Sequence, residues 1–214
     1  MQGRLLPELP EVVQAAAIDP ARSDPEHAHR LRLVGAMAAL LAERGYSTVT
    51  IADIARQARV SKRTFYEHFA DKEACFIACY ATLSDVVLQA VNAATSGDLP
   101  WAKKLRASTR AYLSTLESQP ALTRTLMMDI YAAGPEALRV RRQVQRRFAD
   151  NLRRLVAEGR KDDPKVSKLS PAMATAIIGG INELVLVAVE EGRADRLTEL
   201  ASTADALLQG VLGS

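Results

Sequence analysis

Apolar positions recur at spacings of three and four along most of the chain, the period of helices that bury one face. Leu33, Met37, Leu40 and Leu41 form the first such stripe, which predicts a helix over about Glu26–Arg44, stopped by Gly45. Ile51, Ile54, Ala55 and Ala58 form a second, and Phe65 and Phe69 mark a third, short one. Phe76, Cys79, Leu83, Val86, Val87, Ala90 and Val91 then carry a long stripe from Asp71 to about Thr95. After a break at Gly97–Pro100, the pattern predicts helices at about Trp101–Ser118, Ala121–Tyr131, Glu136–Glu158, Ala172–Glu191 and Arg196–Leu212. Pro120 and Gly134-Pro135 punctuate them, and Ser170-Pro171 is an N-cap followed by Pro at the first helical position. The charged segment Gly159–Lys168 reads as a loop. The fold class is all-α.

Punctuation between Thr48 and Ala74 gives the most specific reading. Thr50 is a good N-cap with Asp53 three residues on, close to a capping box. The first apolar pattern stops at Ala58, Ser61 caps the next helix, and Asp71 caps the one after. Two short helices joined by a tight turn, the second basic at its start, form a helix-turn-helix signature. Lys62, Arg63, Thr64, Tyr66 and His68 fall on or near the outward side of the second helix, which has the width to enter a DNA major groove.

The runs LLAERGY (Leu40–Tyr46), TVTIADIA and VSKRTFYEHFADKEA together resemble the DNA-binding module of the TetR family of bacterial transcriptional regulators. The resemblance covers Leu31 to about Tyr80. It implies Lys62, Arg63 and Tyr66 at base edges, and Thr50, Ser61, Thr64, His68 and Lys72 near phosphates. It also implies a homodimer on a palindromic operator in double-stranded DNA, a repressor released by a small-molecule effector. One position departs: the family usually has Gly in the turn, where Arg59 stands. If that residue takes a positive φ, its side chain carries strain. Alternatively Arg59 contacts a phosphate, or is simply exposed.

Composition agrees with an all-α regulator and adds the location of charge. Hydrophobic residues make up 48% of the 214, ample for a core. The formal net charge is only +3. Residues 26–72 hold eight Lys or Arg against five Asp or Glu, the most basic segment per residue, as phosphate binding requires. Residues 1–25 are net acidic and read as a mobile arm, with a short helix over Glu11–Ile18 and with Arg4 and Arg22 as minor-groove candidates that the net charge disfavours. Cys75 and Cys79, four apart on one helix, read as small core or interface residues in a reducing cytoplasm. His27 and His29 diverge on a helix and read as surface residues, not a metal pair. The sequence implies no metal and no cofactor. Met173–Val189 is apolar but interrupted by Asn182 and Glu183, a poor membrane span. Three His, without a nucleophile–base set, a phosphate-binding loop or a metalloprotease motif, argue against an enzyme.

These elements divide into the arm at 1–25, a helix-turn-helix domain at 26–72 and a helical ligand-binding and dimerisation domain at 73–214. Val144, Phe148, Leu152 and Leu155 give the Glu136–Glu158 helix its buried stripe, while Arg139, Arg142, Arg146 and Arg153 form a solvated outer face. The Ala172–Glu191 helix is apolar nearly all round and needs cover on several sides. Ile177, Ile181 and Val185, with Leu208 and Val211 of the last helix, are the expected dimer interface. Tyr112, Met127, Met128, Asp129, Tyr131, Asn182 and Glu183 are polar, aromatic or adaptable residues on apolar helices, and are the expected lining of an effector cavity. The helix from Asp71, with Lys72 at its start, is the expected link between cavity and DNA. The alternative is an architectural DNA binder or protein-interaction adaptor on this fold, without a small-molecule ligand.

Overall fold

The structure is a computed structural model and describes residues 25–212. The expected arm, with its Glu11–Ile18 helix and with Arg4 and Arg22, lies outside the described residues. Within them the chain runs α1 (Pro25–Arg44), α2 (Ile51–Gln57), α3 (Lys62–His68), α4 (Lys72–Ala94), α5 (Trp101–Glu117), α6 (Pro120–Asp129), α7 (Pro135–Asp162), α8 (Pro171–Glu190) and α9 (Ala201–Leu212). Single turns of 3₁₀ helix at Tyr46–Thr48 and Leu197–Leu200 precede α2 and α9. No strand occurs among the described residues.

Local chemistry sets most of these ends. Gly45 leaves α1 at φ 76, a region closed to most side chains. Asp71 caps α4 by accepting from the Ala74 N–H at 2.7 Å, and Ser170 caps α8 by accepting from the Met173 N–H at 3.1 Å. One end differs from expectation: α7 continues through Gly159 to Asp162. Gly159 does not stop the helix because it serves packing. A Cβ there would meet the Trp101 ring at 2.7 Å, so only glycine lets α5 seat its tryptophan on α7.

Buried side chains form one cluster around Leu33, Met37, Leu41, Phe65 and Phe76, which ties α1–α4 together. Leu122 of α6, Ile130 and Ala133 of the turn after it, and Ala137 at the start of α7 belong to the same cluster. The core of the helix-turn-helix module is thus completed by the body. Cys75 and Cys79 are fully buried in it as free thiols, and burial pushes the Cys75 thiol up to about 12. A second cluster joins Trp101 and Leu105 of α5 to α7, α8 and α9. α4 runs from the first cluster towards the second. α4 and α8 are long and apolar enough to cross a membrane by length and composition, yet each packs against several other helices.

The residues expected at the dimer interface lie largely inside the single chain. Ile177, Ile181, Val185 and Leu208 are buried inside the single chain, and Val211 is half-buried against the same cluster. A helix apolar on all sides has two candidate faces, and its bulkier, β-branched stripe turned inward. The faces of α8 and α9 left outside carry Met173 (45% exposed), Val187 (40%) and Leu207 (36%). Gly180 lies between them, with Leu207 Cδ2 3.5 Å from where its Cβ would sit.

Candidate nucleic-acid interface and ligand cavity

Side-chain caps hold α2 and α3. The Thr50 hydroxyl accepts from the Asp53 N–H at 3.2 Å, and Asp53 Oδ2 accepts from the Thr50 N–H at 3.1 Å and from its hydroxyl at 2.7 Å. This capping box satisfies two of the helix's free donors at once. Those two bonds from Thr50, helped by Arg44 at 3.2 Å, hold the Asp53 carboxyl down at about 2. α2 ends in a Schellman arrangement: the Val60 N–H reaches the Ala55 carbonyl at 2.9 Å and the Arg59 N–H the Arg56 carbonyl at 3.1 Å. Arg59 takes the left-handed position this requires, at φ 56, with its side chain exposed.

α3 follows at once, with Ser61 Oγ accepting from the Thr64 N–H at 3.0 Å. Phe65 faces inward and is fully buried against Phe69, ring centroids 5.8 Å apart. The opposite side presents Lys62, Arg63 and Tyr66, with Tyr66 56% exposed. Arg63 is held only by Glu67 one turn on, Nε to Oε1 3.2 Å. Thr50 and Ser61 are exposed beside them, and Thr64 is half-buried.

Two side chains expected near phosphates, His68 and Lys72, are half-buried and have contacts within the chain. His68 packs its ring edge-on to His29 at 6.0 Å, while its carbonyl accepts from Arg30. Lys72 donates to the Tyr46 carbonyl at 3.0 Å with its ammonium 4.2 Å from the centre of the Tyr46 ring. Lys72 is drawn in by the Tyr46 ring and by the Tyr46 carbonyl, which also accepts from the Val49 N–H at 3.3 Å. The Tyr46 N–H is bonded as well, to Asp129 Oδ2 at 2.7 Å, so this one residue, just after α1, is tied to both α4 and α6.

The cavity opens between α4, α5, α6, α7 and α8. Its volume of about 160 Å³ has room for roughly ten waters at about 10–15 Å³ each, far beyond a packing defect. Of the expected residues, Tyr112, Met127, Tyr131, Asn182 and Glu183 line it. Met128 and Asp129 do not. Met128 stands about 100° round the helix from Met127 and is 41% exposed, while Asp129 is engaged with Tyr46. The wall from α4, namely Tyr80, Leu83, Ser84, Val87 and Val91, was missed, because an apolar stripe reads the same whether it meets a core or a cavity. Arg141 was missed as well, one arginine among many on α7.

The hydroxyls of Ser84, Ser108, Thr109, Thr115 and Thr123 in the cavity lining donate to backbone carbonyls. The Tyr112 hydroxyl donates to Asn182 Oδ1 at 2.6 Å, and burial pushes that phenol up. Burial likewise pushes Tyr80 up to about 12, against the pull of the nearby Arg141 charge. The Arg141 guanidinium lies 5.0 Å from the centre of the Tyr131 ring. Among the described residues no cluster of His, Cys, Asp or Glu is placed to hold a metal ion.

Comparison with known proteins is consistent with both halves of this geometry. Residues 33–79 match the family model described as bacterial regulatory proteins, tetR family. Residues 98–186 match the one described as tetracyclin repressor-like, C-terminal domain. No curated protein matches the sequence. Among solved structures, the fatty acid degradation regulator FadR from Bacillus halodurans aligns with a TM-score of 0.72 at 20% identity, covering 88% of this chain and 97% of that one. FadR from Bacillus subtilis, solved in complex with stearoyl-CoA, gives 0.72 at 20% identity, with 85% and 98% covered. GusR of Salmonella enterica gives 0.70 at 18% identity, with 90% and 99% covered. At these identities the likeness is one of fold.

Proposed function

We propose that this chain, which belongs to the TetR family of bacterial regulatory proteins, acts in the cytoplasm as a homodimeric repressor that a small-molecule effector releases from a palindromic operator. Residues 26–72 bind DNA in this reading, and 73–214 bind the effector and the second subunit. Lys62, Arg63 and Tyr66 read base edges, while Thr50, Ser61, Thr64 and the backbone N–H groups at the start of α4 position phosphates. The exposed stripe of Met173, Gly180 and Val187, with Leu207 beside it, is the surface offered to the second subunit. A two-fold dimer sets its two recognition helices about 34–36 Å apart, one turn of DNA.

The observation that carries this reading is the double membership of α4. Its first turns, with Cys75, Phe76 and Cys79, lie in the core that seats the recognition helix. From Tyr80 to Val91 the same helix is a wall of the cavity. A ligand that favours one tilt of α4 therefore favours one spacing of the recognition helices, and lowers operator affinity by its differential binding to the two states.

The test begins with selection of bound fragments from genomic DNA. A shared palindrome is expected. Operator binding is then titrated with and without candidate effectors. Failure to enrich any sequence overturns the operator reading. An operator affinity that no cavity ligand changes overturns ligand release.

A further inference from the structure

The chemistry of the cavity narrows the class of effector, on the premise that the cavity is the effector site. α4 and α7 lie side by side and run the same way. Arg147 pairs with Asp85 at 2.5 Å, and Arg154 donates to Asn92 Oδ1 at 3.0 Å, an offset of 62 residues at both contacts. That register orders the walls. Tyr80 and Arg141 stand at the end nearest the helix-turn-helix module. Beyond them come Leu83 and Val87 on one wall, and Phe148 and Leu152 on the other. Tyr80 to Val91 spans about 16 Å at 1.5 Å per residue. The cavity therefore has its cation at one end and an apolar strip along the rest, with Ser108, Thr109 and Asn151 as neutral polar groups elsewhere in its lining.

Among the described residues, Arg141 is the one basic side chain in the lining. No carboxylate lies within 4.0 Å of it among the described residues, whereas Arg139, Arg147, Arg153 and Arg154 of the same helix are each paired. Its contacts are the Tyr131 ring and, at 3.4 Å, the Gln145 amide oxygen. Glu183, the one acid in the lining, is exposed on α8 and unpaired with it. A guanidinium at the edge of an apolar cavity, with its fork of donors unclaimed by an acid, is complementary to a carboxylate. We infer that the effector is an amphipathic carboxylate, its anionic head on Arg141 beside Tyr80 and Tyr131, and its linear apolar body along Leu83, Val87 and Phe148. A thioester of the same acyl chain has no charge at the chain end, so the free acid is the fitting form.

The probes are decanoate, decanol, decylamine and decanoyl-CoA, titrated calorimetrically into the full-length protein. Decanoate should bind saturably. Decanol should bind about tenfold more weakly, a typical worth for one charge-assisted contact, and decylamine not detectably. Arg141→Gln should bring decanoate down to the level of decanol and leave decanol unchanged, and Arg141→Lys should restore part of the difference. Equal affinity of acid and alcohol for the unaltered protein overturns the inference and needs no variant. So do binding of the CoA thioester alone, an Arg141→Gln variant that holds decanoate undiminished, and lack of binding by every acid from butanoate to palmitate. Operator titrations separate this inference from the reading beneath it. Decanoate that binds through Arg141 without changing operator affinity upholds the inference and overturns ligand release. Decanol that releases the operator as well as decanoate does overturns the inference and leaves ligand release standing.

Discussion

Arg59→Gly should stabilise the protein although it removes a side chain and adds none. Arg59 holds φ 56 at the position after the α2 C-cap, where the Val60 and Arg59 N–H groups return to the Ala55 and Arg56 carbonyls. A left-handed conformation costs an L-residue with a Cβ about 1–2 kcal/mol. Glycine escapes that cost but loses more freedom on folding, about 0.5–1 kcal/mol. The Arg59 side chain is exposed and forms no ion pair with a described residue, so its removal takes little away. The backbone term wins, by about 0.5–1 kcal/mol. In a chain of this length that is a rise in Tm of about 1–4 °C, measured at fixed protein concentration because dimers unfold with mass action. Arg59→Ala is the control, since it deletes the same side chain and keeps the strain. A glycine variant that melts no higher than the alanine variant refutes the argument. Operator binding gives an independent readout. If Arg59 touches a phosphate, both variants weaken every sequence alike and flatten the salt dependence by about 0.9 in slope. If the strain sets the angle between α2 and α3, glycine alters operator affinity and alanine does not.

Four further outcomes test other parts of the molecule. Arg63→Ala should cost about 1–3 kcal/mol at its cognate base and relax preference there; a panel of operator variants ranked as for the unaltered protein counts against it. Val187→Glu places a charge on the outer stripe of α8 rather than in the core, and should give folded monomers that lose the palindrome; a dimer in sedimentation velocity would locate the interface elsewhere. Asp53 titrates at about 2 in the fold, below its ordinary 3.8, so its stabilising share is complete above the unfolded value and fades as pH falls through about 2. Asp53→Asn should therefore flatten the acid limb of the stability profile between about pH 4 and pH 2, and an unchanged limb would show that the bonds to Thr50 do not matter. Asp129→Ala removes the acceptor for the Tyr46 N–H and should cost about 1–2 kcal/mol; its operator affinity should respond less to effector, and a full response would sever α6 from the coupling.

What sequence reading reached and what it missed follow from the range of the interactions. The helix-turn-helix was legible because each of its caps is a bond between a side chain and a backbone three residues on: Thr50 to Asp53, Ser61 to Thr64, Asp71 to Ala74. Even the anomaly at Arg59 was legible, as a residue out of place in a turn that favours glycine. The cavity was half legible. Tyr112 and Asn182 stand out as polar residues on apolar helices, but their bond spans 70 residues, and nothing local says they meet. Arg141 falls by period in phase with the stripe at Val144, Phe148 and Leu152 rather than on the outer face, but that it meets a cavity there is settled only by the register of α7 against α4. The burial of the expected interface residues within the chain was not legible, for a related reason. Where a helix is apolar all round, periodicity gives no direction, and only the fit of Ile177, Ile181 and Val185 against α5 and α7 decides which face turns inward.

The same long-range contacts bear on how a ligand would reach the DNA. A rigid helix moving alone would transmit little if the module it meets were hinged freely to the body. Here the module is attached twice. α4 enters its core directly, and the backbone of Tyr46 is held at both of its polar groups, its carbonyl by Lys72 of α4 and its N–H by Asp129 of α6. Thr125 adds a second bond from α6, to the Leu41 carbonyl at 2.9 Å. α6 also supplies Met127 to the cavity, and Tyr131 follows at its end. A ligand that separates α4 from α6 therefore pulls on two anchors of one small core. The core is close-packed and resists stretching, so the strain is relieved by rotation of the module as a unit. The two anchors make a distinguishable prediction. With α4 as the sole route, Asp129→Ala leaves coupling intact and two glycines at Val86 and Val87 abolish it. With the paired route, either change weakens coupling and neither alone removes it, which a double-mutant cycle on the effector-linked change in operator affinity would resolve.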